Sequence, residues 1–363
     1  MKAVVLVGGE GTRLRPLTLT TPKQMLPVVE QAMVERVLGH LAKHGIEEAV
    51  LSLGYRPDSF TEAYPDGVIA GVRSKYAVEP SPLDTAGAIR FAAEYAGIDD
   101  TFVVLNGDVL TDIDITSLVA FHRQHEAEGT IALTPVDDPS HFGVVPTDES
   151  GKVTAFIEKP PRDEAPTNLI NAGIYVLEPS VLGRIAPDVR VSIERETFPA
   201  LVAGGRLYAQ GSDAYWLDTG TPVAYLRAHS DLLTGRRGVA PAPGATEDLD
   251  LGPGVWVIGE VDAVPGTVER SLLGAGSSIA SDATVTDSVI GAGSIVESGA
   301  TVTSSLLLPG ARIAAGATVE FSIVGPRATI GQRCTVTGTS VVGAGAVIAS
   351  GTVLDGERFP GAS

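Results

Sequence analysis

Gly8, Gly9 and Gly11, followed by Thr12-Arg13 and, ten residues on, by Pro22-Lys23, are the residues of this chain best suited to chemistry. They come directly after the apolar run Ala3–Val7, which reads as a buried parallel strand. A strand feeding a glycine loop turns backbone N–H groups toward an anion. Arg13 and Lys23 add positive charge suited to phosphates. The dinucleotide fingerprint is excluded because Leu14 stands where its last glycine belongs, and no P-loop string occurs. A plain strand-to-helix turn would not require both cations.

Positioning such groups is the task of the elements around them. Residues 1–232 alternate between candidate strands (3–7, 49–53, 102–105, 130–135, 174–177) and candidate helices (33–44, 86–95, 115–128). This alternation predicts an α/β domain built on a mostly parallel, Rossmann-like sheet. Ligands of such sheets sit at the carboxyl ends of strands. Both the glycine loop and Asn106-Gly107-Asp108 fall at strand ends. Residues 235–254 hold Arg236-Arg237, three prolines and Glu247-Asp248 without periodicity, and read as a linker.

From about Trp256 the pattern changes. Segments starting at Leu273, Ile290, Leu307 and Val324 are each 17 residues long. Apolar residues recur within each at steps of six, six and five, as in Leu273, Ile279 and Val285. A fifth turn, Val342, Ile348 and Leu354, is slipped by one residue. The pattern predicts a hexapeptide β-helix whose coils bury their aliphatic residues only by stacking. The expected division is 1–234 for the α/β domain, 235–254 for the linker and 255–363 for the β-helix.

Composition narrows the partners. A net charge of −18 argues against nucleic acid. The single cysteine, Cys334, excludes an internal disulfide framework and is read as a small core residue. No apolar run is long enough for a membrane span, and no leader precedes the first strand, so a soluble, cytoplasmic protein is expected. His122 and His125, three apart on a helix without a third ligand, are read as solvent-facing, and His141 as a surface residue.

The run from Leu6 to Lys23 resembles the signature of the sugar-1-phosphate nucleotidyltransferases. The likeness continues through Leu105–Val109, Phe142–Val145, Phe156–Pro160, Asn171–Tyr175 and Trp216–Gly220, and is nearest to the mannose-1-phosphate guanylyltransferase branch. The resemblance implies transfer of a nucleotidyl group from a nucleoside triphosphate to a sugar-1-phosphate, with pyrophosphate released. It also implies a left-handed coil for the β-helix. The attacking phosphate is already an anion, so catalysis reduces to positioning and charge neutralisation. By resemblance, Leu6, Gly8, Gly9, Gly11, Thr12, Glu79, Asp84, Thr85 and Gly107 bind the nucleotide, with Arg13 and Lys23 on its phosphates. Asp108 and Asp218 hold Mg2+. Gly143, Glu158, Lys159 and Asn171 bind the sugar phosphate.

Glu79 can accept from both guanine donors, N1–H and the 2-amino group, which favours GTP and, by resemblance, mannose-1-phosphate. Asp84 stands where the family usually has glycine. Gln24 and Pro80-Ser81-Pro82 are closer to the thymidylyltransferase branch, so dTTP with glucose-1-phosphate stays open. So do an unusual sugar or cyclitol phosphate and a catalytically silent regulatory subunit. A second, acyltransferase activity is not expected, because no histidine follows His229. A homo-oligomer, dimer or tetramer, is expected from the exposed ends of a coil stack.

Overall fold

A computed structural model describes residues 1–361; Ala362 and Ser363, the last two residues of the expected β-helix segment, lie outside the described residues. The chain forms two compact units. One holds Met1–Glu10 and Met33–Leu217, the other Gly11–Ala32 and the described residues from Asp218 onward. The segments 11–32 and 218–234 belong to the same compact unit as the β-helix.

The first unit is a mixed sheet. Its central strands are β1 (Lys2–Leu6), β2 (Glu48–Leu53), β3 (Val72–Val78), β4 (Phe102–Asn106), β5 (Gly129–Pro135), β6 (Leu169–Leu177) and β7 (Leu207–Gly211). β1 lies between β2 and β4, parallel to both, and β3 extends the parallel set beyond β2. β6 reverses the direction, running antiparallel to both β4 and β5. β7 closes the edge parallel to β5. The parallel strands β1, β2 and β4 are rich in Val, Leu and Ala because both faces are covered, whereas β3 alternates buried and exposed residues.

Helices Met33–Lys43, Asp84–Ala96 and Ile115–Gln124 stand where the apolar spacing predicts them. The third is capped by Asp114, whose carboxylate accepts the Ser117 N–H at 2.9 Å.

The second unit is a triangular coil of three parallel sheets. Leu273 pairs in register with Ile290, Ile290 with Leu307 and Leu307 with Val324, which is the 17-residue repeat made physical. Val324 then pairs with Val342, so the one-residue slip of the fifth turn is real. The inward aliphatic residues and Cys334 form one buried core. Within the expected linker, Ala245–Glu247 is a strand, antiparallel to Trp256–Ile258. It was invisible to periodicity because it covers the open edge of the first coil rather than repeating.

One corner of every coil has a device that hydrophobic spacing does not reveal. Arg270, Asp287, Ser304, Phe321 and Thr339 all have left-handed φ angles between 43° and 65°, each just before a buried serine. The Ser288 N–H donates to the Ser271 hydroxyl at 3.0 Å, and Ser305 and Ser322 repeat the bond one coil further each time. The serines satisfy backbone donors that the sharp corner would otherwise bury unpaired.

The histidine reading needs correction. His122 is 1% exposed. Its Nε2–H donates to Glu178 at 3.0 Å, and its Nδ1 accepts from the Thr130 hydroxyl at 2.8 Å. His125 is half-buried and packs on Phe121 and Tyr208. His122 rides the inner side of its helix and His125 follows the helix's last turn, a placement that spacing alone does not fix. His141 is exposed, as expected.

Desolvation holds the His122 pKa below 6.5 despite the Glu178 contact. The unfolded chain therefore binds a proton that the fold resists. Stability from this site is present above about pH 6.5 and is lost progressively as pH falls from there through the lower folded-state pKa. Thermal unfolding followed from pH 7.5 to 5.5 should show a smaller acid loss in His122→Gln than in the parent chain.

Candidate active site

In the first unit, the site begins where three strands stop. Leu6 is in register with Ser52 on β2 and Asn106 on β4. The Gly107 N–H donates to the Leu6 carbonyl at 2.9 Å, so Leu6, Gly107 and the turn bearing Asp108 leave the sheet together. Gly8 lies against the next loop. A Cβ there would sit 3.1 Å from Glu79 Oε1 and 3.4 Å from the Gly54 nitrogen. Gly9 faces open space, with nothing within 4 Å of where a Cβ would stand. Gly54 was not anticipated; a Cβ on it would approach the Gly8 carbonyl to 2.9 Å. Its only sequence signal is that it follows a strand end.

Glu79 is half-buried. One carboxylate oxygen accepts from the Ser52 hydroxyl at 3.0 Å and the other from the Leu83 N–H at 3.1 Å. It therefore closes its own loop, a duty the sequence did not disclose. A carboxylate has about four acceptor sites, so two bonds leave acceptor capacity.

Asp84 has φ +61°, the region glycine favours, which fits a position where the resembling family carries glycine. Its side chain is exposed and accepts the Thr85 N–H at 2.8 Å. Thr85 is occupied structurally. Its hydroxyl donates to Glu194 and accepts from the Ile193 N–H, both at 2.8 Å. The single π-type turn Ile193–Thr197 is thereby fixed to the base of helix Asp84–Ala96.

The residues expected to hold the sugar phosphate gather along β6. Gly143–Val144 pairs with Ile157–Glu158, and Val144 with Ile170. A Cβ on Gly143 would meet the Phe156 ring at 2.5 Å, so glycine lets that hairpin close. Lys159 has φ +51°, and its ammonium lies 3.1 Å from Glu158 Oε1. Asn171 sits in a bulge of β6, where its amide donates to the Tyr175 hydroxyl and its carbonyl accepts the Gly173 N–H, both at 2.9 Å. Gly173 has φ +73°, and a Cβ there would lie 2.5 Å from the Asn106 amide. The bulge is thus set against the Asn106–Asp108 turn. Burial pushes the Tyr175 phenol pKa up, which keeps it a neutral partner for Asn171.

The second unit carries the other half of the glycine loop. Gly11, φ +62°, starts the tight turn Thr12–Leu14. Its carbonyl accepts from the Thr18 hydroxyl at 2.8 Å, and a Cβ would crowd Thr18 and Lys23 at 3.0 and 3.1 Å. Arg13 and Lys23 are thereby held on one short segment. Arg13 Nη2 lies 4.0 Å from Asp218 Oδ2. Asp218 Oδ1 accepts the Gly220 N–H at 2.8 Å, and Gly220 lies beneath the guanidinium.

Asp108 and Asp218 are hard oxygen donors of the kind a divalent cation prefers. Among the described residues, no group of three or more His, Cys, Asp or Glu could hold a metal unaided. A cation held by either carboxylate would draw its remaining ligands from elsewhere, as Mg2+ in nucleotide enzymes draws on substrate phosphates.

An α/β sheet with a glycine turn and a carboxylate at its strand ends, in one chain with a hexapeptide coil, is an architecture suited to nucleotides. Residues 2–235 match the nucleotidyl transferase family, and residues 267–359 match the model described as the GMPPB C-terminal domain. The chain belongs to the nucleotidyl transferase family.

Among its relatives is mannose-1-phosphate guanylyltransferase of Mycobacterium tuberculosis, 46% identical over 66% of each chain. Another is the catalytic subunit beta of that enzyme from Dictyostelium discoideum, 39% identical over 70% of each chain. The alignment thus spans just under two thirds of the former relative's length. The crystal structure of HddC from Yersinia pseudotuberculosis complexed with GMP-PN superimposes with a TM-score of 0.55 at 27% identity, covering 63% of this chain and 98% of that one.

A Cβ on Gly220 would sit 2.5 Å from Arg13 Nη2. Gly220→Ala should therefore displace the guanidinium and lower kcat by about 10- to 100-fold. Steady-state kinetics beside an unchanged circular dichroism spectrum would check it.

Proposed function

We propose that this chain transfers a guanylyl group from GTP to mannose-1-phosphate, giving GDP-mannose and pyrophosphate. The observation that carries this reading is the survival of every charged position of the family signature, Arg13, Lys23, Asp108, Lys159 and Asp218, in a chain 39–46% identical to mannose-1-phosphate guanylyltransferases. A silent regulatory subunit would be expected to have lost some of them. We take residues 1–234 as the catalytic segment and the coil from about 255 as a structural and oligomerising one.

In this reading Glu79 offers its remaining acceptor capacity to guanine N1–H and the 2-amino group, with Asp84 as a second acceptor. Gly8 and Gly107 present backbone to the nucleotide. Arg13 and Lys23 neutralise the triphosphate and the departing pyrophosphate. Lys159 aligns the sugar phosphate, while Glu158 and Asn171 engage sugar hydroxyls. Asp108 and Asp218 would hold a divalent metal, Mg2+ in our reading, which supplies further charge neutralisation to the phosphates when bound. The nucleophile needs no general base, so catalysis rests on in-line positioning of two anions.

Pyrophosphate release should be fastest with GTP and mannose-1-phosphate across a grid of GTP, dTTP, UTP and ATP against mannose- and glucose-1-phosphate. Preference for dTTP with glucose-1-phosphate would overturn the base assignment. Asp108→Asn should abolish turnover at saturating Mg2+ while leaving the fold intact; near-normal rates would remove Asp108 from the metal.

The last coils expose Val347 and Val353, at 69% and 67%, and Phe359 in part. This apolar end supports the expected homo-oligomer. Light scattering on Val347→Asp/Val353→Asp should show a lower subunit count than the parent; equal counts would remove that surface from the interface.

A further inference from the structure

Residues Gly11–Ala32 carry both cations of the glycine loop, yet have little structure of their own. They form three single 3-10 turns and a hairpin of two-residue strands, Pro27–Val28 with Gln31–Ala32. Such a segment cannot hold Arg13 and Lys23 in place by local bonds alone. Its anchors lie far along the chain, within the same compact unit.

The Tyr225 hydroxyl, on helix Pro222–Leu233, donates to the Pro27 carbonyl. One turn later on that helix, His229 Nδ1 accepts the Val29 N–H at 3.2 Å. The hairpin tip, Val29-Glu30, has φ angles of 50° and 60°, a tight turn that projects the Glu30 side chain outward. Glu30 Oε1 accepts the Ala292 N–H at 3.2 Å, on a β-helix corner 262 residues away. At the other end of the segment, Pro16 packs on Gly343, where a Cβ would lie 3.2 Å from two ring carbons.

Glu30 is the unusual member of this set. Burial raises its carboxyl pKa, and the Ala292 N–H works in the opposite direction. A short polar residue would suit a left-handed hairpin tip at less desolvation cost. What glutamate adds is the reach to the coil.

We propose that Glu30 is a positioning residue for nucleotidyl transfer: its bond to Ala292 ties the hairpin after Lys23 to the β-helix, which thus supports, in cis, the two cations that meet the triphosphate. The coil is on this view part of the phosphate-handling apparatus, not only an assembly module. The inference rests on the assignment of Arg13 and Lys23 to the triphosphate.

The test is steady-state kinetics on the full chain with GTP and mannose-1-phosphate. Glu30→Ala should lower kcat by about 10- to 100-fold while the KM for mannose-1-phosphate stays unchanged. Glu30→Gln, which keeps a carbonyl acceptor for Ala292, should restore most of the rate. Added to Lys23→Ala, Glu30→Ala should cost little more, because the two changes remove one function.

Wild-type kcat in a folded Glu30→Ala protein, or losses that multiply with those of Lys23→Ala, would overturn the proposal. Should Glu30→Ala lose its thermal transition, Gly343→Ala perturbs the Pro16 anchor instead and should give the same non-additive loss with Lys23→Ala; full activity or multiplying losses there would count against it equally. Unchanged kcat in Lys23→Ala alone would overturn the triphosphate assignment itself, a distinct failure.

Discussion

Leu6 pairs in register with Ser52 on one side and Asn106 on the other, so β1 and β4 end their shared ladder at one level and β2 runs one residue further, to Leu53 opposite Val78. Parallel strands exit in one direction, and their loops must emerge on one edge of the sheet. The glycine loop, the Gly54 turn and the Asn106–Asp108 turn are consequences of that register. A slip of one residue would move every β1 side chain to the opposite face. Glu79, bonded to Ser52 and Leu83, and Gly173, folded onto Asn106, both depend on where these strands stop.

Electrostatics adds a second constraint. In a chain of net charge −18, any site for an anion must concentrate its cations locally. Arg13 and Lys159 are each about 60% exposed, with Asp218 and Glu158 respectively beside them. Such solvent-facing pairs are worth about 0–1 kcal/mol. Pairs this weak hold a cation loosely, whereas a phosphate binds a guanidinium more strongly through paired hydrogen bonds.

The β-helix meets a different demand. Each coil is too small to bury its aliphatic residues alone, so the stack supplies both the core and the backbone partners. The buried serines at the left-handed corners extend the same economy to polar groups, each hydroxyl serving the N–H of the serine in the next coil. Rigidity follows, and a rigid stack is a suitable footing for the irregular segment 11–32 that rests on it through Glu30 and Pro16.

The sequence by itself determined the α/β alternation, the 17-residue coil with its slipped fifth turn, and the family, because each is written in local periodicity or in contiguous motifs that need no partner to be recognised. It also pointed to Asp84 as a position where glycine is usual, and the left-handed φ shows why. The tertiary structure alone decided that His122 is buried, since helical spacing does not say which side faces the sheet. It alone showed that Thr85 serves the Ile193 turn, that Glu79 closes its own loop, and that a strand lies inside 235–254. It also placed the segment after the glycine loop with the β-helix rather than with the sheet. Most of these facts rest on contacts between residues tens to hundreds of positions apart, and none on a repeat, so one sequence carries no periodic signal for them.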